Sequence, residues 1–366
     1  MNIALVHDWL NQRGGAENVL EALTRLYPTA PIFTSIYAPG KMPDSYRAWD
    51  IRMLWIDRLP GIHDHHQPYL PLYPGAFAGL DLSGYDVILS NKSGFCHGVK
   101  AGDALHICYC LAPTRYVWQF DSYIQRERIP AGVAAVLKPI VVSLRLWDYN
   151  AARRVDHFVA ISSDIQRRIS EFYQRESVII YPPVETARYE PSNRVDDYYL
   201  VVSRLIPYKR VDLAVQACSR LGLPLLVAGD GRDRERLERL AGPTVKFLGR
   251  VPDADLPDLM ARCKAFIFPG FEDFGIAPVE AQAAGRPALA YRGGGALDTI
   301  SEGETGLFFD EQTVESLQSA LERLGGLSFS PARCRANALR FDVAVFDREL
   351  AGFVQKRYDE QRKRRA

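Results

Sequence analysis

The chain has 366 residues, 47% apolar and 24% charged, with 45 Lys and Arg against 44 Asp and Glu for a formal net charge of +1. That length exceeds one ordinary core and accommodates two domains of about 150–200 residues each, and the apolar and charged content excludes a largely disordered chain. Near-neutrality excludes a global field that would draw in nucleic acid, so any charge chemistry has to be local.

Met1 leads directly into Ile3–His7, a strand-like apolar run, without a signal-peptide pattern. No stretch approaches the roughly 18 uninterrupted apolar residues of a spanning helix. A cytoplasmic location is expected, and six cysteines without a C-x-x-C pair suit a reducing compartment. Cys108 and Cys110 would share one strand face but lack further ligands, so no structural metal is expected.

After the first strand come Gly14-Gly15 and an apolar-periodic helix over 16–26. Glycines at a helix start open backbone N–H groups to a phosphate; a tight turn with positive φ explains them equally well. Further strands are predicted over 31–35, 87–90, 105–109, His157–Ala160 and 178–181, with helices over 133–154 and 164–173. The proline- and aromatic-rich segment 63–74 predicts an irregular wall for an acceptor, and its three histidines lack a carboxylate or cysteine partner for zinc. The 133–154 helix carries Val136, Leu137, Ile140, Val141, Leu144 and Leu146 beside Lys138, Arg145, Arg153 and Arg154. It suits a bilayer surface or a core position with a basic exposed face.

Tyr181-Pro182-Pro183-Val184 can continue neither ladder nor helix and marks a domain boundary. The expected division is 1–184, 185–345, and a C-terminal helix over 346–366 packing back toward the first domain. In the second domain, strands are predicted over 198–203, Leu225–Ala228, 245–247, Ala265–Phe268 and Ala288–Tyr291. The alternation gives an α/β class with two doubly wound parallel sheets, whose ligands sit at the carboxyl ends of the strands, in a deep cleft between the domains. At the end of the chain, Lys356, Arg357, Arg362, Lys363, Arg364 and Arg365 read as a frayed solvated tail or as a contact for an anionic membrane.

Three segments of the second domain follow predicted strands. Arg204 and Lys209 lie five residues apart, where both could close on a diphosphate. Gly229-Asp230-Gly231-Arg232-Asp233-Arg234 lacks the third glycine of a dinucleotide fingerprint, which argues against a nicotinamide enzyme. Glu272 sits in the loop after Phe268, and Pro278 near a helix start puts Glu280 in that helix's first turn.

Glu272 and Glu280, within Glu-x-Phe-Gly-Ile-x-Pro-x-Glu-Ala, resemble the E-x7-E signature of retaining GT-B glycosyltransferases of family 4. The resemblance extends to Gly14-Gly15, the Tyr-Pro-Pro-Val linker, Ser203 through Lys209, Gly229-Asp230-Gly231, Gly249-Arg250-Val251 and Gly303 to Gly306. It is nearest to bacterial mannosyltransferase-like enzymes of surface polysaccharide assembly. It implies a nucleotide-sugar co-substrate, no cofactor and no metal, and hexose transfer with retention, mannose from GDP-mannose, to a saccharide or lipid-linked acceptor.

The resemblance also implies roles. Glu280 would bind the ribose, and Glu272 with the backbone of Phe274, Gly275 and Ile276 would face the sugar. Arg204, Lys209 and the Gly14 and Gly15 amides would hold the phosphates and stabilise the leaving nucleotide. Val251 and Asp253 would read the base, with Gly229 and Asp230 behind the nucleotide. One departure is Leu111, where many members have a histidine; a water, His97 or nothing takes its place. Arg115, Tyr116 and Trp118 complete the acceptor-side candidates. The alternatives are a nucleotide-sugar hydrolase or epimerase of the same fold, and a non-catalytic nucleotide-sugar-binding protein.

Overall fold

In the computed structural model, which describes residues 1–121, 124 and 130–365, the first apolar run is strand β1, Ile3–His7, buried along its length. Six strands join it: β2 (Ile32–Thr34), β3 (Ile51–Met53), β4 (Val87–Lys92), β5 (Leu105–Cys110), β6 (His157–Ala160) and β7 (Ser177–Ile179). They form one parallel sheet in the order β3-β2-β1-β4-β5-β6-β7. Strands covered by helices on both faces are filled mainly by apolar residues, which is why residues 3–6 of β1, 87–89 of β4 and 107–110 of β5 read as apolar runs. β3, at the sheet edge and half exposed, carries no such signal and was not expected.

The second sheet is also parallel. β8 (Tyr199–Val202), β9 (Leu225–Ala228), β10 (Val245–Gly249), β11 (Ala265–Phe268), β12 (Ala288–Tyr291) and β13 (Gly306–Phe309) run in the order β10-β9-β8-β11-β12-β13. Its core is built from Tyr199, Val201, Leu213, Val227, Ile267 and Leu289, with the helix Val314–Gly325 adding Leu317 and Leu321. In both sheets the strand order reverses beside the first strand, at β1/β4 and β8/β11. That crevice is where doubly wound sheets hold ligands.

The chain divides into two compact units, Met1–Pro183 with Phe346–Ala366, and Val184–Val345. The helix Val343–Arg365 joins the first unit: Phe346 meets Tyr109 edge-on at 5.7 Å, Asp347 pairs with Arg25 at 3.0 Å, and Arg365 donates to the Asp103 carbonyl. The basic C-terminal residues are therefore the last turns of a packed helix rather than a frayed tail. Of the long helix Ala131–Ala152, Val141, Leu144, Asp148, Ala151 and Ala152 are buried. Among the described residues no helix is long and apolar enough to cross a membrane, and no group of three or more His, Cys, Asp or Glu side chains could hold a metal ion.

Candidate functional site

Three loops of the second unit meet at the carboxyl ends of β8, β9 and β10. Ser203 donates its N–H to Ala228 at 3.0 Å, Leu205 to Asp230 at 2.9 Å and Gly229 to Gly249 at 2.7 Å. The approach is close enough to dictate residue type. Gly229 has φ +133°, and a Cβ there would stand 1.8 Å from the Ser203 carbonyl oxygen. The carboxylate of Asp230 is exposed and accepts the Gly231 N–H at 2.8 Å.

After β8 the chain enters a single 3₁₀ turn, Pro207–Lys209, and Arg210 at φ +51° redirects it into the helix Val211–Leu221. The turn aims Lys209 at the loop after β11, where its ammonium forms an ion pair with Glu272. Gly270 lets the two backbones touch, since a Cβ there would lie 2.9 Å from the Lys209 carbonyl oxygen. Arg204 is exposed, and among the described residues its side chain forms no ion pair. Behind Glu272 lies a glycine run that sequence reasoning missed: Gly295 donates to the Glu272 carbonyl at 2.9 Å, and a Cβ on Gly294 would stand 2.1 Å from that oxygen. Three consecutive glycines, Gly293 to Gly295, after a strand were the available signal.

Gly275, at φ +91°, caps the helix Ile276–Ala283. Phe274 is buried with its ring against Phe341 at 5.6 Å, so its backbone is what it can offer a ligand. Glu280 is the fifth helical residue and lies beyond the first turn, contrary to the sequence expectation. The helix dipole acts within the first turn, so other groups must hold this carboxylate. Burial raises its pKa, while the nearby Tyr189 hydroxyl and the Arg188 charge oppose the rise. Asp253 and Glu185 push in the same direction as burial. Arg188 also donates to the Asp253 carbonyl at 3.0 Å and lies 5.8 Å from the Tyr189 ring centroid. The 185–189 segment thus joins Glu280 to the Asp253 loop, where the sequence showed only a polar linker. Val251 is half-buried and Asp253 exposed on that loop.

In the first unit, Gly14 is the N-cap of the helix Gly15–Leu26 with extended backbone, φ −167°. Neither Gly14 nor Gly15 has positive φ, which removes the tight-turn explanation. Beneath them Glu17 is buried and faces His7 at 3.3 Å. Asp8, fully buried, accepts the N–H groups of Ser93, Gly94, Phe95 and Cys96 at 2.6–2.8 Å, latching the loop after β4 to the loop after β1.

The acceptor-side candidates separate. His97 is fully buried, with Nε2 3.5 Å from the Asp148 carboxylate and 3.3 Å from its carbonyl oxygen. Burial drives its pKa well below the usual imidazole value, so it is a neutral core histidine and cannot replace the missing family histidine at a sugar. Trp118 donates its indole N–H to Asp148 at 2.6 Å and stacks on Phe172 at 4.9 Å, which accounts for its ring by packing. Asp148 also receives Thr114 at 2.9 Å and Tyr173 at 2.7 Å, and lies 3.9 Å from the buried Lys92. This network holds the 111–115 loop from below. Leu111 itself is buried, whereas Arg115 and Tyr116 are half-buried on the short helix Arg115–Trp118.

Residues 185–341 match the family model of glycosyl transferases group 1. A GDP-mannose-dependent monoacylated alpha-(1-6)-phosphatidylinositol monomannoside mannosyltransferase of Corynebacterium glutamicum is 35% identical over 138 residues, 33% of this chain and 36% of that protein. The D-inositol 3-phosphate glycosyltransferase of Rhodococcus erythropolis is 28% identical over 320 residues, 74% of this chain and 70% of that protein. The chain spans 55%, 36% and 48% of the lengths of the first curated relatives it matches. Among solved structures, Anabaena HepE in complex with UDP superposes with a TM-score of 0.73 at 19% identity, covering 97% of this chain and all 100% of that one. Sucrose-phosphate synthase from Thermosynechococcus elongatus gives 0.71 at 17% identity, covering 98% and 100%. The chain therefore has the two-sheet fold of GT-B glycosyltransferases, and its residues 185–341 are similar to the glycosyl transferases group 1 family.

Proposed function

We propose that this protein is a retaining hexosyltransferase, moving mannose from GDP-mannose to a saccharide or lipid-linked acceptor in polysaccharide or glycolipid assembly at the inner face of the cell membrane. The observation that carries the reading is the pair of carboxylates on the loop and helix after β11, Glu272 paired with Lys209 and Glu280 set beside Tyr189 and Arg188. Lys209 is already pointed at the site, and an incoming diphosphate would draw its ammonium from Glu272, freeing that carboxylate to accept sugar hydroxyls. Arg204 would add a bidentate fork to the same phosphates. Together they would stabilise charge developing on the departing nucleotide, work done by positioning and electrostatics without a protein nucleophile. Gly14 and Gly15, Gly229 and Asp230, and the backbone of Phe274, Gly275 and Ile276 complete the proposed donor contacts.

Asp253 favours guanine on chemical grounds. A carboxylate only accepts hydrogen bonds, and guanine presents two neighbouring donors where uracil flanks one donor with carbonyls. The GDP-mannose dependence of the corynebacterial relative points the same way. A thermal-shift screen with GDP-, UDP-, ADP- and dTDP-sugars tests the donor, because a ligand at about a hundred times its Kd stabilises by about 2.7 kcal/mol. GDP-mannose is expected to give the largest shift. A shift with UDP-sugars alone would replace the donor assignment, and nucleotide release at equal rates with and without acceptor would turn the enzyme into a hydrolase.

A further inference from the structure

The helix Ala131–Ala152 leaves an apolar surface uncovered. Val136 is 71% exposed, Leu146 63% and Val142 57%, and Val133 and Ile140 are exposed with them. At about 100° per residue Val136, Val142 and Leu146 face away from Val141, Leu144 and Asp148, which face the core, while Val133 and Ile140 lie at the border of that outward face. Scattered exposed apolar residues are ordinary; a cluster of five on one helix marks an interaction surface.

The placement of this surface follows from Asp148. Its carboxylate is bonded to Thr114 and Trp118, which follow β5, and lies near Lys92, the last residue of β4. Asp148 therefore sits level with the carboxyl edge of the first sheet. From there the helix continues downstream toward the start of β6, so its upstream residues project beyond the carboxyl edge. Val136 is twelve residues upstream, a rise of about 18 Å. Lys138 is the exposed charge on the helix; Arg145 donates to the Val117 carbonyl at 2.7 Å, Arg153, Arg154 and Asp156 follow the helix, and its one acidic residue, Asp148, is fully buried. A second copy docked through the same outward face would set Lys138 against Lys138. An anionic bilayer surface answers both the apolar side chains and the cations.

We infer that residues 131–146 dock this protein on an anionic membrane, with Val133, Val136, Ile140, Val142 and Leu146 entering the interface and Lys138 contacting headgroups. The basic end of the helix Val343–Arg365 takes no part: Gln361 and Arg365 bond Asp103, before β5, at the opposite edge of the sheet. The docking rests on the helix alone. That it brings a lipid-linked acceptor to the carboxyl edge rests on the transferase reading.

The test is co-sedimentation of the full chain with vesicles of phosphatidylcholine alone or mixed with phosphatidylglycerol. Binding to the mixed vesicles is expected, falling at least about tenfold in V136D/I140D, as loss of one buried aliphatic side chain already suffices for that. K138E should weaken binding to mixed vesicles while leaving any binding to neutral ones unchanged. Both variants should keep the wild-type Tm and its shift with nucleotide sugar, which separates this result from any failure of the donor assignment. Should the double variant unfold, L146D and K138E taken singly carry the same expectation. No binding by the wild-type chain, or binding by these variants as tight as wild type, would overturn the inference. So would a dimer, seen by light scattering, that V136D/I140D breaks in a chain that ignores vesicles.

Discussion

Glu280 is a carboxylate kept at a cost in stability. Burial raises its pKa above 4.5, and the Tyr189 hydroxyl and Arg188 oppose that rise. A carboxyl whose folded-state pKa is raised contributes stability below its unfolded pKa, and that contribution is lost as pH rises through the folded value. Replacing it with a neutral amide removes the loss. Glu280→Gln should therefore match or exceed the wild-type Tm near neutral pH, converge with it in acid, and bind GDP-mannose at least about tenfold more weakly, since an ionised acceptor is replaced. Melting curves across pH and calorimetric titration check the two halves. Tyr189→Phe removes one cause that lowers this pKa, so the acidic limb of nucleotide affinity should move to higher pH; an unmoved limb would show that the hydroxyl does not tune Glu280. Sequence spacing singled out Glu280, but not its partner: Tyr189 lies 91 residues upstream in a segment whose polar composition reads as linker, and only the fold brings the two together.

At the scale of elements, what was legible followed from burial on two faces. β1, β4, β5, β8, β9, β11 and β12 show as apolar runs because mainly apolar residues fill a strand between two helical layers. β3, half exposed at a sheet edge, has no buried apolar run, and β13 starts on the last glycine of the Gly303-Glu304-Thr305-Gly306 turn signal, so neither was legible. Loops were legible only where glycine was demanded. Gly229 reads as part of a motif, and the reason is the Ser203 carbonyl 1.8 Å from where its Cβ would be. Gly229→Ala should destabilise the second unit by at least about 2 kcal/mol, through positive φ and the forced separation of two loops. Urea unfolding followed in that unit, with loss of the GDP-mannose shift, is the measurement. The Asp8 latch had no comparable signature, since an aspartate after a strand is a common residue and its four amide partners lie 85 to 88 residues downstream.

For the molecule as a whole, the division into units is not a division into halves of the chain. The first unit is completed by residues 346–366, whose Phe346, Leu350 and Val354 are buried. Three such side chains together stabilise by about 5–9 kcal/mol, comparable to the whole stability of a typical domain at about 5–15 kcal/mol. Truncation before Phe346 should therefore unfold the first unit and spare the second. Limited proteolysis would then digest residues 1–183 while a fragment spanning 184–345 survives; equal resistance of both would contradict the assignment.

That same helix bears on how the protein is made. A ribosome delivers the seven strands of the first sheet long before the segment that closes them, and the whole of residues 184–345 emerges in between. The later unit can complete its core while the earlier one still waits with Tyr109 and its neighbours uncovered. Domains ordinarily fold from the amino terminus as they emerge; here a helix made after the whole second unit decides when the first sheet is finished.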